Sequence, residues 1–233
     1  MPVELSPALT DLFPPGAVAT VLLEPGDLAA LLPAEAACLK RPVTKRLREF
    51  AAGRQCAHRA LEELGIRDVP VPMAADRQPL WPEGVVGSIT HTSGYCAAVV
   101  ARRTRLQALG LDAELAAAVR EELWPIICGE SELAKLARQA PAQRARTATL
   151  LFSAKEAFHK CQFPLTGEWL GFEDIAVTIE MLGTSHGEFT ISPQRPLALA
   201  ARAPPPWRGR FLLDERLVST GIGLVAQATV PSL

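Results

Sequence analysis

The apolar pattern of this 233-residue chain passes twice through one arrangement: a long amphipathic stretch, then several short apolar runs. Residues 44–64 carry Leu47, Phe50, Ala57, Leu61 and Leu64 at helical spacing, with Gly65 as the stop. A Pro-rich span, 68–84, then interrupts regular structure. Runs at 85–89 and 95–101 read as strands, and an earlier strand is expected at 17–23, closed by Glu24-Pro25-Gly26. In the second half a strand over 108–113 precedes helices over 116–123, 129–138 and 142–161, and alternating runs at 175–180, 188–191, 211–213 and 221–225 supply a sheet. No sequence repeat accompanies this likeness, and the halves meet near residues 103–107. The reading is an α+β protein of two similar lobes, 1–105 and 106–233, forming one unit with a ligand cleft between them.

Composition narrows the function classes. Lys+Arg (24) nearly cancels Asp+Glu (25), so no basic surplus argues for nucleic acid or an anionic membrane. No apolar run approaches the roughly 20 residues of a membrane span, and the first residues lack the basic start and apolar core of a signal peptide. The five cysteines are dispersed and form no C-x-x-C pair, so neither a zinc ribbon nor a disulfide framework is supported. A reduced, cytoplasmic protein is expected.

Four polar features interrupt the apolar pattern. On the helix over 44–64, Arg54 falls inside the apolar arc and Arg46 at its edge. A guanidinium aimed inward needs a partner: a structural carboxylate, water reached by snorkelling, or a phosphate gripped together with Arg46 would serve. Gly87-Ser88-Ile89-Thr90-His91-Thr92-Ser93-Gly94 joins two strands and is a plausible anion loop, with Ser88, Thr90 and His91 as its donors, although a lone loop His is commonly only a hydrogen-bonded one. Asp112 and Glu114 share one face at the end of an apolar strand, where their repulsion calls for a cation; the alternative is a solvated strand end. Hard carboxylate oxygens suit Mg²⁺. Finally, Glu156 and Lys160 lie one turn apart, opposite the apolar stripe of Leu151, Ala154, Phe158 and Cys161. They form either an ordinary wet-helix ion pair or a third carboxylate and an ammonium for a metal-phosphate site.

In order and spacing, the segments KRLREFAAGRQCAHRALEELG, RQPLWPEGVVGSITHTSGYCAAVV, LGLDAE and LLFSAKEAFHKCQFPLTGEWLGFEDIAV resemble the Sfp-type 4′-phosphopantetheinyl transferases. Within that family they are most similar to the branch that contains enterobactin synthase component D and actinobacterial enzymes. The likeness runs from about residue 45 to residue 177; the flanks match only in general character. It implies a monomer of two pseudo-symmetric lobes with coenzyme A held between them. The implied reaction is Mg²⁺-dependent transfer of phosphopantetheine from coenzyme A to a serine of an apo acyl or peptidyl carrier protein, with release of adenosine 3′,5′-bisphosphate.

By this resemblance Arg46 and Arg54 bind the 3′-phosphate of coenzyme A, and His91 contacts its phosphates from a strand end shaped by Ser88 and Thr90. Asp112, Glu114 and Glu156 hold Mg²⁺, and Glu156 is the candidate base, directly or through water. Lys155 and Lys160 bind phosphate, with Lys160 also aiding the leaving group. Where some relatives carry a lysine before the Trp-Pro pair, Met73 stands near that spot, and Arg77 is the candidate replacement. Carriers are small acidic helical domains, so residues 162–172, with Trp169 and Leu170, are a candidate docking segment; the alternative is a packing loop. Two competing readings remain at this level: a coenzyme A or nucleotide pyrophosphate hydrolase using the same metal site, and a non-catalytic coenzyme A-binding regulator.

Overall fold

A computed structural model of the chain describes residues 2–39 and 44–226. Strands β1 (Glu4–Leu5), β2 (Ala17–Leu22), β3 (Val85–Thr92) and β4 (Tyr95–Arg102) form one antiparallel sheet in the order β1-β2-β4-β3. Strands β5 (Leu106–Leu115), β6 (Ile175–Met181), β7 (His186–Pro193), β8 (Trp207–Leu213) and β9 (Leu217–Val225) form a second, in the order β5-β9-β8-β7-β6. The helices are α1 (Pro7–Thr10), α2 (Pro33–Ala36), α3 (Thr44–Glu63), α4 (Trp124–Ile127), α5 (Glu130–Ala137) and α6 (Pro141–Thr166). Each sheet therefore carries one long helix, α3 on the first and α6 on the second. No helix among the described residues is long and apolar enough to cross a membrane.

Strand β4 explains how the halves join. Its sequence, YCAAVVAR, is a continuous apolar run, and every residue but Arg102 is buried, the pattern of a strand covered on both faces. Cys96, Ala98 and Val100 pack with Ala52, Cys56, Ala57, Ala60 and Leu61 of α3. The alternate residues Ala97, Val99 and Ala101 pack with Leu109, Leu111 and Ala113 of β5. A third cluster sets Leu151, Ala154, Phe158 and Cys161 of α6 against the second sheet. Helix α6 lies so close to β5 that a Cβ at Gly110 would stand 1.8 Å from the Ala157 carbonyl oxygen.

Three sequence expectations are corrected. Residues 116–123 are not an α-helix: Ala116 N–H donates to Arg216 O and Val119 N–H to the Thr149 hydroxyl, so tertiary partners take donors that a helix would need. Only a 3₁₀ turn, Glu121–Leu123, and the short α4 follow. The expected anion loop is mostly strand: Ser88, Thr90 and His91 belong to β3, whose ladder with β4 runs through Thr92↔Tyr95. Helix α6 continues past residue 161 and through Pro164, ending at Gly167 in the left-handed region (φ 66°), where glycine carries no Cβ penalty.

Candidate active site

The site begins at the seam between the sheets. Strand β3 is the edge of its sheet, and β5 the edge of the other. They are joined by side chains rather than by a backbone ladder. Leu111 N–H donates to Ser88 Oγ (3.0 Å), and Ala113 N–H donates to Thr90 Oγ1 (3.1 Å). Both hydroxyls sit two residues apart on β3 and meet N–H groups two residues apart on β5, a match set by the strand period. Ser88 and Thr90 are thus buried structural links, not open anion donors.

Asp112 stands between these links. It is 3% exposed. Its Oδ1 accepts from Lys160 Nζ (2.7 Å) and from Thr90 Oγ1 (3.3 Å), while its buried Oδ2 has no hydrogen-bond partner among the described residues. An unpaired buried carboxylate oxygen is costly and marks a place for a cation or donor. Burial, reinforced by Asp112 and Glu156, pushes the Glu114 carboxyl up to about 7 against the pull of Lys160. Burial and Asp112 also raise Glu156, again opposed by Lys160. Asp112, Glu114 and Glu156, contributed by β5 and α6, therefore feel one another's charge, and Lys160 is their common counter-ion. Lys160 also donates to Leu111 O (3.2 Å), which leaves one of its three N–H groups for a further acceptor.

On α6 the 100° step between successive residues separates neighbouring side chains. Glu156, His159, Lys160 and Phe163 line a cleft of about 800 Å³. Its other wall comes from residues 76–89, including Arg77, Trp81, Pro82 and Ser88, with Arg103 beside them. Trp169, 75% exposed, packs edge-on against His159 with ring centroids 4.8 Å apart and completes the α6 wall. The sequence pointed to Glu156, Lys160 and Trp169 but missed His159 and Phe163. Extending the Glu156 stripe by three and seven residues would have found both.

Other expected residues fall elsewhere. Lys155 does not reach the cleft: it is 2% exposed, and all three of its N–H groups are taken, by Ile127 O (2.8 Å), Glu132 Oε2 (2.9 Å) and Phe172 O (2.9 Å). Its expected phosphate role is replaced by this internal set. Arg54, 6% exposed, lies over the Phe50 ring and donates to Val71 O (2.6 Å) and Pro72 O (3.5 Å). Burial lowers its pKa, against the opposing charge of Glu35. It anchors the chain leading to Arg77, an exposed turn residue at φ 74° on the cleft wall. Arg46 reaches across from α3 to β3, with Nη1 3.1 Å from His91 Nε2 and 3.4 Å from Glu49 Oε2. Because a guanidinium only donates, His91 Nε2 accepts and the imidazole is neutral in this pairing. Burial lowers the His91 pKa and the charges of Arg46 and Lys160 add to the effect, while Glu49 opposes it. Leu170 is half-buried against the cluster under α6, so the expected docking segment is divided, with Trp169 facing outward and Leu170 packed inward.

Among the described residues no three of His, Cys, Asp and Glu already stand close enough to enclose a metal ion. The donor set nevertheless suits one: three coupled carboxylates, one with an orphaned buried oxygen, are the hard ligands Mg²⁺ prefers.

Two sheets that share a core, a cleft lined from both halves of the chain, and carboxylates with an ammonium at the β3–β5 seam define an α+β protein with a ligand cleft. Sequence comparison makes this specific. Residues 34–101 match the 4′-phosphopantetheinyl transferase N-terminal domain, and residues 108–208 match the 4′-phosphopantetheinyl transferase superfamily. The chain is 38% identical over 195 residues to 4′-phosphopantetheinyl transferase PptT of Mycobacterium tuberculosis, covering 83% of this chain and 86% of that protein. It is 38% identical over 209 residues to 4′-phosphopantetheinyl transferase Svp of Streptomyces mobaraensis, covering 88% and 83%. Enterobactin synthase component D of Salmonella typhimurium is 39% identical over 118 residues, 50% of this chain and 48% of that protein. The chain belongs to the 4′-phosphopantetheinyl transferase superfamily. It is an enzyme that transfers phosphopantetheine to carrier proteins, in a family whose substrate is coenzyme A.

Proposed function

We propose that coenzyme A lies in the cleft between a lobe of residues 1–105 and a lobe of residues 106–233, with Asp112, Glu114 and Glu156 holding Mg²⁺ beside its pyrophosphate. The observation that carries this reading is Asp112 Oδ2, buried and without a partner, next to the Asp112–Lys160 ion pair. A bound Mg²⁺ would neutralise pyrophosphate charge and polarise the phosphorus under attack. The apolar part of the cleft, with Trp81, Pro82, Phe163 and Trp169, fits the pantetheine arm. Arg46 and His91, paired at 3.1 Å, supply donors for the 3′-phosphate end, and Arg77 adds a cation on the cleft wall.

A carrier serine hydroxyl attacks the phosphorus attached to pantetheine. The new serine O–P bond forms as the pyrophosphate P–O bond breaks, and adenosine 3′,5′-bisphosphate leaves. The serine proton goes to Glu156, directly or through one water. Because a carboxylate bound to Mg²⁺ would be a weaker base than a free one, the route through water suits Glu156 better. The free N–H of Lys160 faces the leaving group and meets its growing negative charge. The partners are apo acyl or peptidyl carrier domains, and the five free thiols suit a reducing compartment such as the cytoplasm.

The test is Glu156→Gln with coenzyme A, Mg²⁺ and an apo carrier, read by intact mass. Transfer should slow by about 10²–10⁴-fold, while coenzyme A binding measured by calorimetry persists. An unimpaired gain of one phosphopantetheine would reject the role. Turnover of coenzyme A without a carrier would favour hydrolysis instead.

A further inference from the structure

Lys155 sits next to Glu156 in sequence but on the other side of α6. The 100° step that turns Glu156 into the cleft turns Lys155 into the protein. There its ammonium joins α6 to the stretch around α5 and to the chain that returns after α6. It donates to Ile127 O just before α5, to Glu132 within α5, and to Phe172 O in the chain returning after α6. Glu132 extends the junction: its Oε2 accepts from Gly129 N–H (2.8 Å) and its Oε1 from Val177 N–H (2.6 Å) of β6. The Lys155–Glu132 pair, with both side chains 1% exposed, is therefore a hub for four backbone groups around one buried charge pair.

The returning chain carries the outer wall of the cleft. Gln162 Nε2 donates to Glu168 O (2.7 Å), Trp169 then lies over His159, and three residues later Phe172 hands its carbonyl to Lys155 while its ring meets Phe152 at 5.8 Å. Trp169 is thus suspended between attachments to α6 at Gln162 and Thr166 on one side and at Lys155 on the other, with Arg195 joining Glu168 to Asp174 along the outer edge.

We propose that Lys155 is a positioning residue: by fixing the Phe172 carbonyl against the buried side of α6, it sets Trp169 over His159 and so shapes the cleft wall that receives the pantetheine arm. This rests on the reading that the cleft takes coenzyme A. It assigns Lys155 no contact with phosphate.

The experiment compares wild type with Lys155→Met in two measurements. The first, hydrogen exchange on the free protein, needs no ligand. Amides of residues 168–174 should exchange at least tenfold faster, while those of β7, β8 and β9 keep their rates. Unchanged exchange at 168–174, or a uniform rise across the chain, would overturn the proposal. The second is calorimetry with coenzyme A and adenosine 3′-phosphate 5′-diphosphate, which carry the same three phosphates and differ in the arm. Coenzyme A affinity should fall at least tenfold, while adenosine 3′-phosphate 5′-diphosphate affinity stays within twofold. An equal loss for both would assign Lys155 to phosphate and overturn the proposal. If wild type binds coenzyme A no more tightly than this arm-less nucleotide, the cleft reading fails, and the exchange result still judges Lys155. Should Lys155→Met fold poorly, the pair Lys155→Met with Glu132→Gln removes the unpaired buried charge and keeps one carbonyl oxygen as acceptor, for Val177 N–H or for Gly129 N–H but not for both. Stability should then recover with residues 168–174 still fast; protection returning along with stability would reject a positioning role.

Discussion

At the scale of single residues, charge is managed by a few buried pairs. Asp112→Asn keeps an acceptor for Lys160 and Thr90 but removes the negative charge beside the orphaned oxygen position. The variant should fold normally and lose transfer by about 10²-fold or more, a loss of at least about 2.7 kcal/mol in transition-state stabilisation. Initial rates with an apo carrier, alongside a melting curve, check both halves of that statement. A second pair lies far from the cleft. Burial alone would raise the Glu35 carboxyl, but the His58 hydrogen bond and the N–H groups of Val71 and Leu32 outweigh it and hold Glu35 below the usual 4.5. A depressed folded-state pKa contributes stability above the unfolded value, and that contribution is lost as pH falls through the folded value. Denaturant titrations between about pH 3 and 7 should show an acid-side loss that Glu35→Gln flattens. An unchanged acid limb in Glu35→Gln would contradict this account.

At the scale of elements, the seam between β3 and β5 is what holds the carboxylates to the first sheet. Ser88→Ala strips the acceptor from the Leu111 N–H in a buried place. Thermal unfolding should report a loss of about 1–3 kcal/mol, the cost of an unsatisfied buried donor. The packing of α6 on β5 is equally unforgiving. Gly110→Ala would press a methyl onto the Ala157 carbonyl oxygen, a backbone atom that cannot rotate away. The expected cost is about 3 kcal/mol or more. Because Ala157 adjoins Glu156 on α6, transfer should fall more than stability predicts, which rates measured well below the melting midpoint would reveal. These elements were visible in the sequence to different degrees. The faces of α3 and α6 followed from apolar spacing, since one face had to be buried. The segment 116–123 did not, because Thr149 and the Arg216 carbonyl, both remote in sequence, take the partners that local propensity would have used.

At the scale of the whole molecule, the cleft exists because two sheets meet edge to edge and share the core between β4 and β5. The cleft draws its walls from both halves: residues 76–89 from the first, and Glu156, His159, Lys160 and Phe163 from the second. Under the proposed function the first half would add Arg46 and His91 and the second the three carboxylates, so separating the halves should abolish transfer.

The sequence by itself determined which residues share a face: Asp112 with Glu114 at a strand's period of two, Glu156 with Lys160 at a helical turn, and the apolar stripes that fix how α3 and α6 lie on their sheets. Together with the family's spacing, that was enough for the class of reaction. Only the tertiary structure decided what each face meets. It turned the hydroxyls of Ser88 and Thr90 onto the backbone of β5, sent Lys155 into a buried ion pair while Lys160 went to Asp112, and brought His159 and Trp169 together at the cleft. Periodicity orders side chains around one element. Their partners come from other elements, and those are chosen by the packing that buries apolar surface and leaves no buried donor unmatched.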